Sequence, residues 1–403
     1  MPRASATLSA TDGAGEASGP MEEPAPPVGR LPALTGLRIF AALAVYCHHL
    51  GPPAGAPTLV ASAMWAGWCG VTIFFVLSGF VLTINYFDSL RRPTPAAVGS
   101  FLVARFARVY PLYILTLAYF VARMAEAGTS LDGLGGQILM FGAWYPAGYV
   151  GFNNVSWSVS VEAFLYLAFP LLAVIVGRVD RGSRHLWLLA AAIVLIVSAN
   201  AFQYVRAGLE AYPATNPNSA LRWLYFLPLA RLGDFGLGIV AARLYLHLRG
   251  VPRWERVGGP MVLAGLAAML VVATRQEWGR SAFTLDIAYA APTFVVLLGL
   301  ALAPRHSIAR FPSLPWVVLL GEASYAFYLV HYEGIRLLDS QGWTHAITWA
   351  TLAIQIFNLL IILALSLALH LFVERPARSW IRARFTRGVA VAPTRSQAHH
   401  PAA

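Results

Sequence analysis

A short set of ionisable side chains lies within otherwise apolar stretches of the 403-residue sequence: Arg38, His48, His49, Glu162, Arg231, Asp234, Glu322 and His331. Placing such a group inside a membrane span costs about 2.5–3.5 kcal/mol, so each is a candidate for function. Arg38 and His49 are eleven positions apart. At about 100° per residue they fall within about 20° of one helix face, roughly 16 Å apart along the axis, whereas His48 points about 80° away from Arg38. One stripe of a helix then carries a cation at one end and an imidazole at the other. That stripe suits a long substrate with an anionic head and a distant reactive end, and a neutral imidazole is suited to taking a proton near pH 7. The alternative is that Arg38 snorkels to headgroups while the His pair caps the helix end. Arg105 and Arg108, three apart, share a helix face and could grip a phosphate, although Arg at an inner helix end is also ordinary membrane topology. Arg231 and Asp234, one turn apart, most simply neutralise each other.

The elements that must hold these groups are membrane-spanning helices. Hydrophobic residues make up 58% of the sequence and charged residues 12%, against about 25% charged in soluble domains. Apolar stretches of about 20 residues recur, each long enough for a hydrocarbon core of about 30 Å. Lipid offers backbone groups no partner, so the stretches must be helical. The expected fold is an all-α, polytopic integral membrane protein with ten spans, at 33–52, 68–88, 104–123, 157–178, 186–205, 220–248, 258–274, 284–303, 315–336 and 346–373. A net charge of +11 could suggest nucleic acid, but the distribution argues against it. All 29 basic residues are Arg. With the N-terminus cytoplasmic, only Arg123, Arg206, Arg222, Arg275, Arg280 and Arg336 fall in outer segments, as the positive-inside rule requires. Both termini are expected in the cytoplasm of a bacterial cell, with the chain in its plasma membrane. In that topology Arg38 lies near the cytoplasmic side. His49, His331 and Glu162 lie toward the outer side, Glu162 because its helix starts at about Trp157. Residues 1–30 have no signal-peptide core and are expected to form a disordered tail. Residues 31–385 then form one membrane domain, and 386–403 a second tail. Cys47 and Cys69 are expected as buried free thiols. No internal repeat, dinucleotide-binding glycine motif or metal-ligand spacing is visible.

Longer motifs surround these residues. Leu-Thr-Gly-Leu-Arg38, with His49 eleven positions on, is followed by Gly-Val-Thr-Ile-Phe-Phe-Val-Leu-Ser-Gly-Phe at 70–80 and Arg105-x-x-Arg108-Val-Tyr-Pro. Then come Ser-Trp-Ser-Val-Ser-Val-Glu162-Ala-Phe-Leu-Tyr166 and Arg231-Leu-Gly-Asp-Phe-x-Leu-Gly. Gly-Glu-Ala-Ser-Tyr-Ala-Phe-Tyr-Leu-Val-His331 and Glu374-Arg-Pro-Ala-Arg378 complete the set. In this order and spacing, over nearly all of residues 31–380, the sequence resembles the acyltransferase-3 family of membrane O-acyltransferases. The resemblance implies transfer of an acyl group from cytoplasmic acyl-CoA, a co-substrate rather than a bound cofactor, to a hydroxyl of a small molecule or glycan. It implies that His49 is the catalytic histidine and Arg38 its helix partner. Arg105 and Arg108 would face the CoA phosphates, joined by Arg38 at a similar depth. Glu162 would be the acidic partner of the active site, with Trp157, Tyr166 and Thr72 in support. Many members carry Asp where this chain has Thr72; if that Asp orients the histidine, Glu162 must do so here, or the acceptor differs from a polysaccharide.

The chemistry of the residues agrees with this. A carboxylate beside a histidine fixes its tautomer and stabilises the imidazolium, and CoA carries its charges far from its thioester. The compact chain and the Arg-only, Ala-rich composition of a high-GC bacterium look like the subgroup that acylates macrolide or ansamycin antibiotics and their sugars. Acetylation of envelope glycans is the alternative. A transporter would also place Arg, Glu and His in the membrane, but more often with paired repeats and broken helices.

Overall fold

The apolar stretches fold as helices, which satisfy every backbone group internally. The computed structural model describes residues 31–145, 152–209, 216, 218–275, 281–285, 287–342 and 349–385, and among them there is no strand. The expected tails, 1–30 and 386–403, lie outside the described residues. In chain order the helices are α1 (Pro32–Leu50), α2 (Thr58–Trp65), α3 (Cys69–Leu90), α4 (Pro95–Glu126), α5 (Leu134–Ile138), α6 (Trp157–Val179), α7 (Ser183–Arg206) and α8 (Leu232–Leu248). They continue as α9 (Pro252–Thr274), α10 (Ala282–Leu285), α11 (Ile287–Leu302), α12 (Ser307–Arg310), α13 (Pro315–Asp339), α14 (Trp349–Leu369) and α15 (Arg375–Phe385).

Among the described residues, seven helical stretches are long and apolar enough to cross a membrane: Pro32–Leu50, Thr58–Leu90, Pro95–Glu126, Trp157–Val179, Ser183–Arg206, Pro252–Thr274 and Thr351–Phe385. The other three expected spans are helical but fall short. The 220–248 stretch divides into a π-helical turn, Leu221–Phe226, and the 17-residue α8. Pro228 explains the break: a residue before proline is driven to extended backbone, and Leu227 has ψ 126°. The 284–303 stretch divides into α10 and the 16-residue α11. Helix α13 is 25 residues long but carries Glu322, Glu333, Arg336 and Asp339.

Two crossings bring the site together. Where α1 meets α13, a Cβ on Gly321 would lie 2.1 Å from the Thr35 carbonyl oxygen. Where α3 meets α8, a Cβ on Gly238 would lie 1.9 Å from the Val76 carbonyl oxygen. Small residues permit such close helix contact in lipid. The Tyr225 hydroxyl, just before α8, donates to the Trp68 carbonyl at 3.1 Å, and the Trp157 ring lies 5.0 Å from that of Tyr225. The starts of α3 and α6 and the approach to α8 therefore share one end of the bundle. At the opposite end Asp180, immediately after α6, accepts from Arg243 at 2.5 Å and lies 2.7 Å from His247, both on α8. Burial alone would raise the Asp180 carboxyl, but these hydrogen bonds outweigh it and hold it below its ordinary value.

Candidate active site

Helices α1, α3, α4, α6 and α13 line a cavity that carries Arg38, Arg105, Arg108, Glu162 and Tyr166. Each arginine is held differently. Arg38 Nε donates to Ser324 Oγ at 3.3 Å, and its guanidinium lies 6.0 Å from the Phe74 ring centre. Arg105 Nη2 donates to the Tyr86 hydroxyl at 3.0 Å, with the Tyr86 and Tyr166 rings 5.0 and 5.8 Å away. Arg108 pairs with the Glu374 carboxylate, which sits on a π-helical turn, His370–Glu374, after α14. His370 Nδ1 lies 2.9 Å from the other oxygen of Glu374. One turn along α6 from Glu162, the Tyr166 hydroxyl donates to its carboxylate. Three guanidiniums stand against two carboxylates, Glu162 and the Arg108-paired Glu374, and the surplus positive charge in a low-dielectric cleft suits an anion.

A second cavity is lined by His48, His49, Trp68, Trp157, Tyr225 and Tyr332, among others. Val71 and Tyr328 line both cavities and so form the wall between them. The Trp157 ring lies 4.7 Å from Phe226, and Trp68 lies 5.3 Å from Tyr225. His49 Nδ1 is 2.9 Å from His331 Nε2. His331 is fully buried, with its Nδ1 2.7 Å from the Tyr328 carbonyl oxygen. His48 Nδ1 is 2.8 Å from the Trp65 carbonyl, tying α1 to α2.

The α1 stripe thus delivers Arg38 to one cavity and His49 to the next. Trp157 lines the His49 cavity. Glu162 was expected at the depth of His49; it is found instead with the arginines. The cause lies upstream of α6, where Phe152, Asn153, Val155 and Ser156 are already buried and Asn153 Nδ2 donates to the Leu329 carbonyl at 3.0 Å. Helix α6 therefore starts inside the protein, and Glu162 lies about 7 Å further along its axis. Thr72 lines neither cavity: it is fully buried, its Oγ1 has no partner among the described residues, and it shares a face with Val76 and Gly79, which abut α8. Arg231 and Asp234 form a buried ion pair of 2.9 Å. Cys47 and Cys69 are free thiols. Among the described residues no group of three or more His, Cys, Asp or Glu could hold a metal ion. Sequence reasoning gave no part to His370 and Glu374, and no partner to His331. His331 ends and Glu374 begins a quoted motif, but His49 and Arg108, which they meet across the bundle, are hundreds of positions away.

Architecture and site define a multi-pass helical membrane protein with an arginine-rich cavity adjoining a histidine-bearing one. The chain belongs to the acyltransferase-3 family, whose acyltransferase domain matches residues 31–371. It is accordingly a membrane O-acyltransferase. It is 34% identical to the acyltransferase MdmB of Streptomyces mycarofaciens over 392 residues, covering 91% of this chain and 96% of that protein. It is 27% identical to nodulation protein 10 of Rhizobium leguminosarum bv. viciae, covering 88% and 95% of the two chains. With the O-acetyltransferase OatA of Staphylococcus aureus it shares 24% identity over 77% of this chain and 51% of OatA. No solved structure matches the chain.

Proposed function

We propose that the protein transfers an acyl group from acyl-CoA to a hydroxyl of a macrolide- or ansamycin-type polyketide, or of its sugar. The observation that carries this reading is the shared wall: Val71 and Tyr328 alone in those linings separate the arginine cavity from that of His49. The CoA phosphates sit against Arg105, Arg108 and Arg38, because guanidinium pairs tightly with phosphate. The thioester reaches past Val71 and Tyr328 toward His49. There the acceptor hydroxyl gives its proton to His49 as its oxygen attacks the thioester carbonyl. The tetrahedral intermediate then collapses, the C–S bond breaks, and the departing sulfur takes the proton from the imidazolium. Glu162, bonded to Tyr166, balances the arginines in this scheme rather than orienting His49. The aromatic lining of the second cavity suits an acceptor with broad apolar faces. Likeness to a Streptomyces acyltransferase over nearly the whole of both chains supports acyl transfer as the reaction. The likeness to an O-acetyltransferase over half of that protein favours acetyl as the group moved, which also fits a second reading with an envelope glycan as acceptor.

Purified protein in detergent should release thiol from acyl-CoA only when an acceptor is present. His49→Ala should lose about 10²–10⁴-fold in turnover while still binding the donor, and His48→Ala should stay near wild type. Near-wild-type turnover by His49→Ala removes His49 as the base. Absence of thiol release from any acyl-CoA by the wild-type protein removes the donor assignment.

A further inference from the structure

The geometry points to His331 as the positioning residue that sets the tautomer of His49, through a chain running from the Tyr328 carbonyl to His331 to His49. The inference rests on His49 acting as the base. A backbone carbonyl only accepts hydrogen bonds, so His331 Nδ1, 2.7 Å from the Tyr328 oxygen, carries the proton. A neutral imidazole has one protonated nitrogen, so His331 Nε2 holds a lone pair. That lone pair faces His49 Nδ1 at 2.9 Å, and His49 Nδ1 must therefore be the donor. The lone pair of His49 is then fixed on Nε2, the nitrogen turned away from His331, on a ring that lines the aromatic cavity.

The surroundings of His331 make this arrangement one-directional. His331 has no solvent exposure; the Phe327 ring stacks parallel to it at 5.8 Å, and Tyr46 lies edge-on at 6.4 Å. An imidazolium there would lack water, and charging a buried group without a counter-charge is costly. His331 therefore stays neutral and accepting throughout the cycle. When His49 takes the acceptor's proton at Nε2, its Nδ1–H keeps the same bond to His331. The tautomer-fixing part that a carboxylate takes beside many catalytic histidines falls here to a second, neutral histidine. The carboxylate that the sequence motifs offered for that part, Glu162, lines the other cavity.

The test uses the full chain in detergent. His331→Gln places an amide oxygen close to the position of Nε2 and should keep turnover within a few-fold of wild type. His331→Leu, which cannot accept a hydrogen bond, should lower kcat on the order of 10²-fold with the KM for acyl-CoA unchanged. A folded His331→Leu protein with wild-type kcat, or equal losses in the Gln and Leu variants, overturns the inference. If His331→Leu fails to fold, the ¹⁵N spectrum of histidine-labelled wild-type protein decides. The signal missing in His49→Ala should show a protonated Nδ1; a protonated Nε2 in neutral His49 overturns the proposal. Full turnover by His49→Ala is a different outcome, which removes the base itself.

Discussion

Arg105 and Arg108 are separated by one helical turn yet stand in different electrostatic settings. Arg108 pairs with Glu374, whose side chain is 1% exposed. Deleting Arg108 leaves that carboxylate uncompensated, at about 3–5 kcal/mol, so its loss mixes folding with binding. The partners of Arg105 are a phenol and two aromatic faces, and Arg105→Ala orphans no charge. A hydrogen bond to a charged group is worth about 1.5–3 kcal/mol. Arg105→Ala is therefore predicted to raise the KM for acyl-CoA about 10- to 100-fold, leaving the acceptor KM unchanged, as steady-state thiol release would show. An unchanged donor KM in the folded variant returns Arg105 to ordinary membrane topology. The helix-1 stripe was legible in the sequence because a single helix's geometry suffices to place Arg38 and His49. The setting of Glu162 was not, because it depends on how deep α6 begins, and that is decided by the contact from Asn153 to Leu329. The His49–His331 contact joins residues 282 positions apart and leaves no local periodic signal.

At the scale of the element, the quoted motifs divide into chemistry and packing. Gly36, Gly79, Gly238 and Gly321 all stand where a neighbouring backbone leaves no room for a Cβ, and Ser324 and Tyr325 hold Arg38 and the Val109 carbonyl. A Cβ at Gly238 forces α8 away from α3, and such overpacking costs about 1–3 kcal/mol. Gly238→Ala should lower the unfolding temperature of the detergent-solubilised protein. Gly99→Ala, on the exposed part of α4 with nothing within 4 Å, should be neutral or raise it, since Ala favours helix over Gly by about 1 kcal/mol. Identical melting of Gly238→Ala and wild type would mean that the two helices do not approach this closely. Sequence periodicity located these helices well, because lipid permits little else. It missed the break before α8, where a proline and the Arg231–Asp234 pair interrupt an otherwise apolar run. Arg231 Nε donates to the Tyr225 carbonyl at 2.8 Å, so the ion pair satisfies backbone that the broken helix exposes.

For the whole molecule, the arrangement of the site requires α8 to cross the membrane. Its 17 residues span about 25 Å, short of a hydrocarbon core of about 30 Å; the π-helical turn before it supplies the missing length. Two sets of contacts favour a crossing. Tyr225 meets both Trp68 and Trp157 at the His49 end, while Asp180 meets Arg243 and His247 at the other. Helices α3, α6 and α8 therefore run parallel, with α7 returning between α6 and α8. Helix α4 ends at the His49 side, where the Tyr119 hydroxyl donates to Glu333 at 3.1 Å. Gly128, just beyond α4, then lies at one face, and Gly250, just beyond α8, at the other. The ends of α3, α6 and α8 gather Arg91, Arg92, Arg178, Arg181, Arg184, Arg243 and Arg249, and positive residues collect on the cytoplasmic side. A reporter fused at Gly250 should therefore read cytoplasmic and one at Gly128 external, with the arginine cavity open toward the compartment that holds acyl-CoA. Matching readings at the two positions would mean an even number of crossings between them. That result would remove α8 as a span and with it the parallel arrangement that sets Arg105 and His49 on opposite sides of Val71 and Tyr328.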